Sequence, residues 1–441
     1  MNTAAAPEQI THARILKIAV PIVLSNATVP ILGAVDTGVV GQMGLAAPIG
    51  AVGIGAVILA TFYWLFGFLR MGTTGLVAQA RGAGEVAETG ALFMRGLMIA
   101  CFGGAVFIAA QSALFAGAFW LAPASAEVEG LARDYLSIRI WGAPATIALY
   151  VITGWLIAVE RTRGVLVLQL WMNGLNIALD LWFVLGLGWG VEGVAVATLI
   201  AEWTGLALGL YLCREIFRGR AWRDWGRIFD RVRIRRMMSV NGDIMLRNVI
   251  LTGSFTTFVF LAADLGDVTL AANQVLLQFL EITAFALDGV AFAAEALVGK
   301  AVGARARGDL RRAALMCSYW GIGWGVLLGF IFLLCGPFLI DLMSTAQEVR
   351  AEARLFLVWI FLAPIISAPA WMLDGIFFGA TWTREIRIAM LQSVAIYVVA
   401  LAVLIPLFGN HGLWAALMVL NLARGLTLGM RYPRLEATVG R

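Results

Sequence analysis

Residues 76–83 read LVAQARGA and residues 297–304 read LVGKAVGA, and the displacement of 221 residues between them organises the whole chain. At that displacement Ile49 to Gly53 falls on Leu270 to Gln274, Gly154 on Gly375, and the pair Thr162, Arg163 on Thr383, Arg384. An offset that holds through loops and apolar runs alike marks an internal repeat. Apolar segments lie near 15–40, 46–69, 91–119, 132–157, 164–186 and 192–213, then near 237–262, 268–298, 313–340, 353–380, 386–408 and 412–430. Of the 441 residues, 61% are hydrophobic and 13% charged, against roughly 45–50% and about 25% in a soluble chain. So little polar surface makes the bilayer the solvent, and twelve spans of about 20–25 residues leave no room for a large soluble domain.

Six is even, so the second half re-enters the membrane in the same orientation. The repeats are therefore parallel, an arrangement of transporters with the substrate site at the repeat interface. The expected fold is an all-α polytopic membrane protein. Twelve transmembrane helices form two six-helix lobes related by a pseudo-two-fold around a central cleft. The amino-terminal lobe is 1–213, the linker 214–236 and the carboxy-terminal lobe 237–441.

The linker holds nine arginines against Glu215, Asp224 and Asp230, which keeps it cytoplasmic and puts both termini inside. Of the 32 lysines and arginines, this topology places 27 inside and Arg133, Arg139, Arg350 and Arg354 outside, with Arg247 in the seventh span. The net charge of +5 thus follows from topology, and no nucleic-acid partner is implied. Glu8 precedes the first basic residue and the apolar run after it is too long for a signal peptide, so the first helix is expected to be retained.

Cys101, Cys213, Cys317 and Cys335 are far apart, and His12 and His411 are the only histidines, so neither metal nor redox spacing exists. GWGVEG at 188–193 matches a dinucleotide fingerprint but joins two membrane helices instead of following a strand. It reads as a tight turn. No Ser/His constellation is visible, so the chain does not read as an enzyme.

Ionisable groups in a bilayer cost at least about 2.5–3.5 kcal/mol each. Asp36 lies 19 residues after Lys17 and Asp180 lies 17 after Arg163, placing both roughly 26–28 Å above the inner boundary. Thr198 reaches a similar level from the other side. Asn173, Asn176 and Asp180 share one helix face by their spacing. Two carboxylates converging in low dielectric cannot both stay charged, so the pocket takes a proton or a cation. The competing reading is a structural hydrogen-bond network.

In the eighth span Gln274, Glu281, Asp288 and Glu295 recur every seven residues and form one stripe that drifts about 20° per step. It either lines an aqueous path that attracts organic cations or spends Glu295 on Arg247. Asp243 and Arg247 are expected to pair with each other or with the eighth span, and Asp374 with Arg384. Pro21 and Pro30 interrupt the first span below Asp36, where a missing backbone hydrogen bond permits a bend.

The Asp36 segment, LVAQARGAGE at 76–85, NIALDLWFVLGLGWGVEGVAVAT at 176–198, NGDIMLRN at 241–248 and TLAANQVLLQFLEITAFALDGVAFAAEALVGKAVGAR at 269–305 together resemble the multidrug and toxic compound extrusion (MATE) transporters, MOP superfamily, and within them the DinF-like branch. The resemblance implies export of amphipathic organic cations and drugs, coupled to inward proton or sodium flow without a cofactor. It carries the family's helix 1 acid onto Asp36, its bend proline onto Pro21, its helix 5 pair onto Asn176 and Asp180, and its helix 6 threonine onto Thr198. Thr153 stands where some members carry asparagine, and Leu32 where a tyrosine often precedes the acid. The second-lobe acids of the NorM-type branch do not map cleanly.

The resulting expectation is a monomeric, multi-pass antiporter of a bacterial cytoplasmic membrane that exports lipophilic cations in exchange for protons. Sodium held by Asp36, Asn176, Asp180 and Thr198 is the alternative ion. Alternative functions are a lipid-linked precursor flippase, which wants a cationic cleft, and a membrane-embedded enzyme.

Overall fold

The computed structural model describes residues 9–42, 45–121 and 124–440. Glu8 and Arg441, used above for the amino terminus and the charge count, lie outside them. Among the described residues twelve helices are long and apolar enough to cross a membrane: α1 His12–Gly41, α2 Ala46–Gly82, α3 Val86–Leu121, α4 Ala126–Ala158, α5 Thr162–Gly186, α6 Gly190–Leu212, α7 Arg231–Asp264, α8 Asp267–Gly303, α9 Arg307–Met343, α10 Leu357–Gly379, α11 Thr383–Phe408 and α12 Asn410–Thr438.

Two stretches are more ordered than their composition suggests. LVAQARG is the helical end of α2, reached through a 3-10 turn at Leu65–Gly67. Just before it, Thr74 donates to the carbonyls of Arg70 at 2.8 Å and Gly154 at 3.2 Å. The basic linker also folds, with short helices at Glu215–Arg218 and Trp225–Ile228. Asp224 starts the second by accepting from the Arg227 backbone N–H at 3.1 Å.

The 221-residue offset reappears in backbone geometry. Six of the nine left-handed φ angles among the described residues fall in matched pairs: Gly84 (75°) with Arg305 (53°), Glu160 (61°) with Thr381 (53°), and Gly188 (70°) with Gly409 (56°). Three of these six turn positions are not glycine, so chain reversal itself, and not glycine's freedom, is what the repeat preserves. The quoted octapeptides cross each other symmetrically. A Cβ on Gly82 would stand 2.0 Å from the carbonyl oxygen of Lys300, and a Cβ on Gly303 would stand 2.0 Å from that of Gln79. Positions 79 and 300 are themselves repeat mates.

Both features give stability predictions. Gly303→Ala pushes backbone against backbone, where no side chain can yield, and is expected to cost about 3 kcal/mol. Arg305→Gly relieves a left-handed L-residue and is expected to stabilise by roughly 0.5–1 kcal/mol. Thermal unfolding in detergent reads both, and an unchanged melting temperature in Gly303→Ala would contradict the crossing.

The chain forms two compact units. One comprises Met1–Val23, Ala78–Gly84 and Met238–Arg441; the other comprises Leu24–Val77 and Glu85–Met237. They are called here the Asp374 unit and the Asp36 unit. These units differ from a division at the linker in two segments, the start of α1 and the end of α2. The end of α2 is held there by the Gly82/Gly303 crossing, together with Gln79, which donates to the carbonyl of Gly379 at 3.1 Å and to the Thr381 hydroxyl at 3.0 Å. Within α1, which is helical throughout, the change of unit falls between Val23 and Leu24, flanked by Pro21 and Pro30.

Each unit has its own core. Tyr63, Phe115, Phe119, Tyr135 and Leu136 cluster in the Asp36 unit. In the Asp374 unit Phe258, Phe279, Phe332, Tyr397 and Trp414 do so. The Trp414 indole, buried there, donates to Asn273 at 2.9 Å.

Candidate functional site

The Asp36 unit brings α1, α5 and α6 together around two acids. Asp36 is half-buried in α1, whereas Asp180 is 0% exposed at the point where α5 changes to a π-helical turn, Leu181–Gly186. Such turns concentrate at functional positions. The two carboxyls lie close enough to interact with each other.

Asn176, one turn before Asp180, stands between them. The orientation that satisfies its neighbours points Nδ2 at Asp36 Oδ1 and Asp180 Oδ2, each at 3.2 Å, and leaves its oxygen 3.0 Å from the Thr198 hydroxyl. The other oxygen of Asp180 is buried and has no hydrogen-bond partner among the described residues. An unsatisfied acceptor of this kind is costly unless it is used.

Asn173 lies on the same face of α5, but its amide is committed elsewhere. It donates to the hydroxyl of Thr28 at 2.8 Å and to the Thr28 carbonyl at 3.2 Å, and accepts from Gln169 at 3.0 Å. It ties α5 to α1 below the acids. Thr153 is half-buried on α4, and no hydrogen bond joins it to the pair among the described residues.

A second charged pair, absent from the sequence reading, backs the acids. Arg139 on α4 meets Glu202 on α6 at 2.8 Å, and its Nε donates to the Tyr135 hydroxyl at 3.3 Å. The Tyr63 hydroxyl donates to the Arg139 carbonyl at 3.3 Å. Gly142 makes the room, since a Cβ there would lie 2.0 Å from Glu202 Oε2. Arg139 is near enough to act electrostatically on both Asp36 and Asp180. α4 begins at Ala126 behind the Ser125 cap, so Arg139 lies thirteen residues, or roughly 20 Å, into the helix. The available signal was one Arg and one Glu, each alone in an apolar run.

The acids of the Asp374 unit are arranged differently. Asp374 accepts from Arg247 and, at 2.6 Å, from Arg424. Asn248 and Asn421 accept from the same two guanidinium groups at 3.0 and 2.9 Å. Asp243 accepts from Arg387 at 2.6 Å and from Thr383 at 3.0 Å. Both expected local pairings, Asp243 with Arg247 and Asp374 with Arg384, are thus replaced by partners on other helices.

Along the α8 stripe burial rises from Gln274 and Glu281, both exposed, through half-buried Asp288 to buried Glu295. Asp288 accepts from the Trp371 indole at 3.3 Å. Because Asp374 neutralises two buried arginines, Asp374→Asn is expected to cost about 3 kcal/mol and lower the yield of folded protein. A melting temperature equal to the parent's would show that the triad carries no stability.

The MatE family model matches the chain twice, over residues 21–182 and 244–404. The chain belongs to the MatE family. It is 37% identical over 429 residues to the DNA damage-inducible protein F of Escherichia coli (strain K12), covering 95% of this chain and 91% of that protein. This places it in the DinF-like branch. It is also 28% identical over 460 residues to the probable multidrug resistance protein NorM of Rhizobium meliloti (strain 1021), covering 96% and 94% of the two chains. A solved structure of MATE in the bent conformation superposes with a TM-score of 0.88 at 18% identity, over 97% of each chain. The two matches to the family model start 223 residues apart, close to the 221-residue repeat. MatE members are multidrug efflux transporters and not enzymes, and this chain is a multi-pass membrane protein of that family.

Proposed function

We propose that this MatE chain is a proton-coupled antiporter exporting amphipathic organic cations by alternating access, with Asp36 and Asp180 as the exchanging groups. One observation carries the reading: two carboxyls from different helices converge on the Asn176 amide, each with an oxygen 3.2 Å from it. That arrangement suits a shared proton. Sodium held by the same groups is the alternative ion.

In this scheme protonation neutralises the pair and releases the cation. Deprotonation on the opposite side restores a net acidic pocket, because Arg139 is already balanced by Glu202. The proline-flanked stretch of α1 is the element that responds. For uphill export, proton and substrate must bias the conformations differently or compete for the same groups.

The protein is read as a monomer in a bacterial cytoplasmic membrane, with the linker and both termini inside and the coupling chemistry confined to the amino-terminal half. The flippase alternative would draw on buried cations for phosphate, but Arg247 and Arg424 are spent on Asp374.

The test is transport of a fluorescent lipophilic cation in proteoliposomes with a pH gradient and a sodium gradient imposed separately. Export driven by pH alone is expected. Export driven only by sodium would reverse the assignment of the ion.

A further inference from the structure

We propose that the linker 214–236 is a binding surface for anionic phospholipid headgroups at the membrane face where α6 ends and α7 begins. This rests on the chain being a multi-pass membrane protein and on no part of the transport reading.

One side of the linker is pinned to the Asp36 unit. Ile216 and Ile228 are buried. Arg95, itself buried in α3, donates to the carbonyls of Ile228 at 2.8 Å and Arg227 at 2.6 Å, and to Glu88 at 2.8 Å. Glu88 also accepts from Arg233. The linker therefore presents a fixed outer face.

The composition of that face selects the ligand. Arg218, Arg220, Arg223, Arg231 and Arg235 are exposed. The three acids are engaged locally: Glu215 with Arg161 at 2.6 Å, Asp224 with the Arg227 N–H, and Asp230 with the Arg233 N–H at 2.9 Å. Among the arginines, Trp225 and Phe229 stack with ring centroids 5.9 Å apart while 57% and 52% exposed, beside Val232 at 78%. In water such an aromatic pair is unfavourable, whereas at the boundary between headgroups and acyl chains the rings are half-buried and favoured.

The surrounding guanidinium groups match the phosphates of acidic lipids in charge and hydrogen-bond geometry. The linker bridges Leu212 and Arg231 and is held against the first turns of α3, so it stays at the level of the helix ends, where headgroups lie.

The test uses the full-length protein in nanodiscs of phosphatidylcholine alone or with about 30% phosphatidylglycerol. Backbone amide exchange of the linker is followed by mass spectrometry. Phosphatidylglycerol is expected to slow exchange across residues 217–231 at least about fivefold, and about 0.5 M salt to remove most of that protection. The variant Arg218→Gln/Arg220→Gln/Arg223→Gln is expected to lose it, and Trp225→Ala/Phe229→Ala to reduce it. Exchange around Glu88 and Arg95 in α3 should stay unchanged in both, which separates loss of lipid from loss of folding. Equal exchange in the two lipid compositions overturns the proposal, as does protection that survives the triple substitution.

Discussion

Asp180→Asn is expected to reduce pH-driven export of a lipophilic cation to the rate of protein-free vesicles, a loss of at least about a hundredfold. Asp36→Asn should do the same. Asparagine has the size of aspartate and can hydrogen-bond to the neighbouring carboxyl, but it cannot release a proton. Among the described residues no ion pair to Asp180 is formed, so the substitution strands no buried cation, in contrast to Asp374→Asn. Both variants should accordingly reach the membrane in normal amount and retain their melting temperature. Continued response to a pH gradient in the two single variants would remove these carboxyls from the coupling step.

The second large effect concerns the pair behind them. Glu202→Gln leaves the Arg139 guanidinium buried and unbalanced, a change that typically costs about 3–5 kcal/mol. It also leaves a positive charge facing Asp36 and Asp180, so the pocket loses its attraction for cations. The apparent KM for a lipophilic cation is expected to rise by roughly tenfold or more, corresponding to about 1.4 kcal/mol.

Arg139→Gln/Glu202→Gln removes both charges and keeps two groups that can hydrogen-bond. It is expected to recover most of the stability and most of the affinity. A double variant no better than Glu202→Gln would show that shape, and not charge balance, is what the pair supplies.

The fold was legible because hydropathy and a repeat offset are properties of the chain itself. Segment limits were less so: LVAQARG is too polar to score as a span, yet it is helical because Gln79 finds partners inside the protein. For the site, counting helix rise put Asp36, Asp180 and Thr198 at a similar level, and in the structure Asn176 lies within 3.2 Å of all three. Periodicity could say that Asn173 shares a face with Asp180, but not that its amide is taken by Thr28.

The charged residues of the second half failed for a related reason. Their pairing was sought within one helix turn or across a helix end. In a bundle the partner comes from a neighbouring helix, here 127 residues away for Arg247 and Asp374 and 144 away for Asp243 and Arg387. Arg139 and Glu202 were hidden by the same limitation, being ordinary until α4 and α6 are laid side by side.

The crossing of Gly82 and Gly303 links the history of the two halves. At most positions the duplicated segments have been free to diverge, as Gly53 and Gln274 or Gly67 and Asp288 show. Here each copy presses on the other's main chain within 2.0 Å of where a methyl group would stand. Drift at either codon is felt by both ancestral copies at once, so these two sites should change last and in concert, however far the rest of the gene wanders.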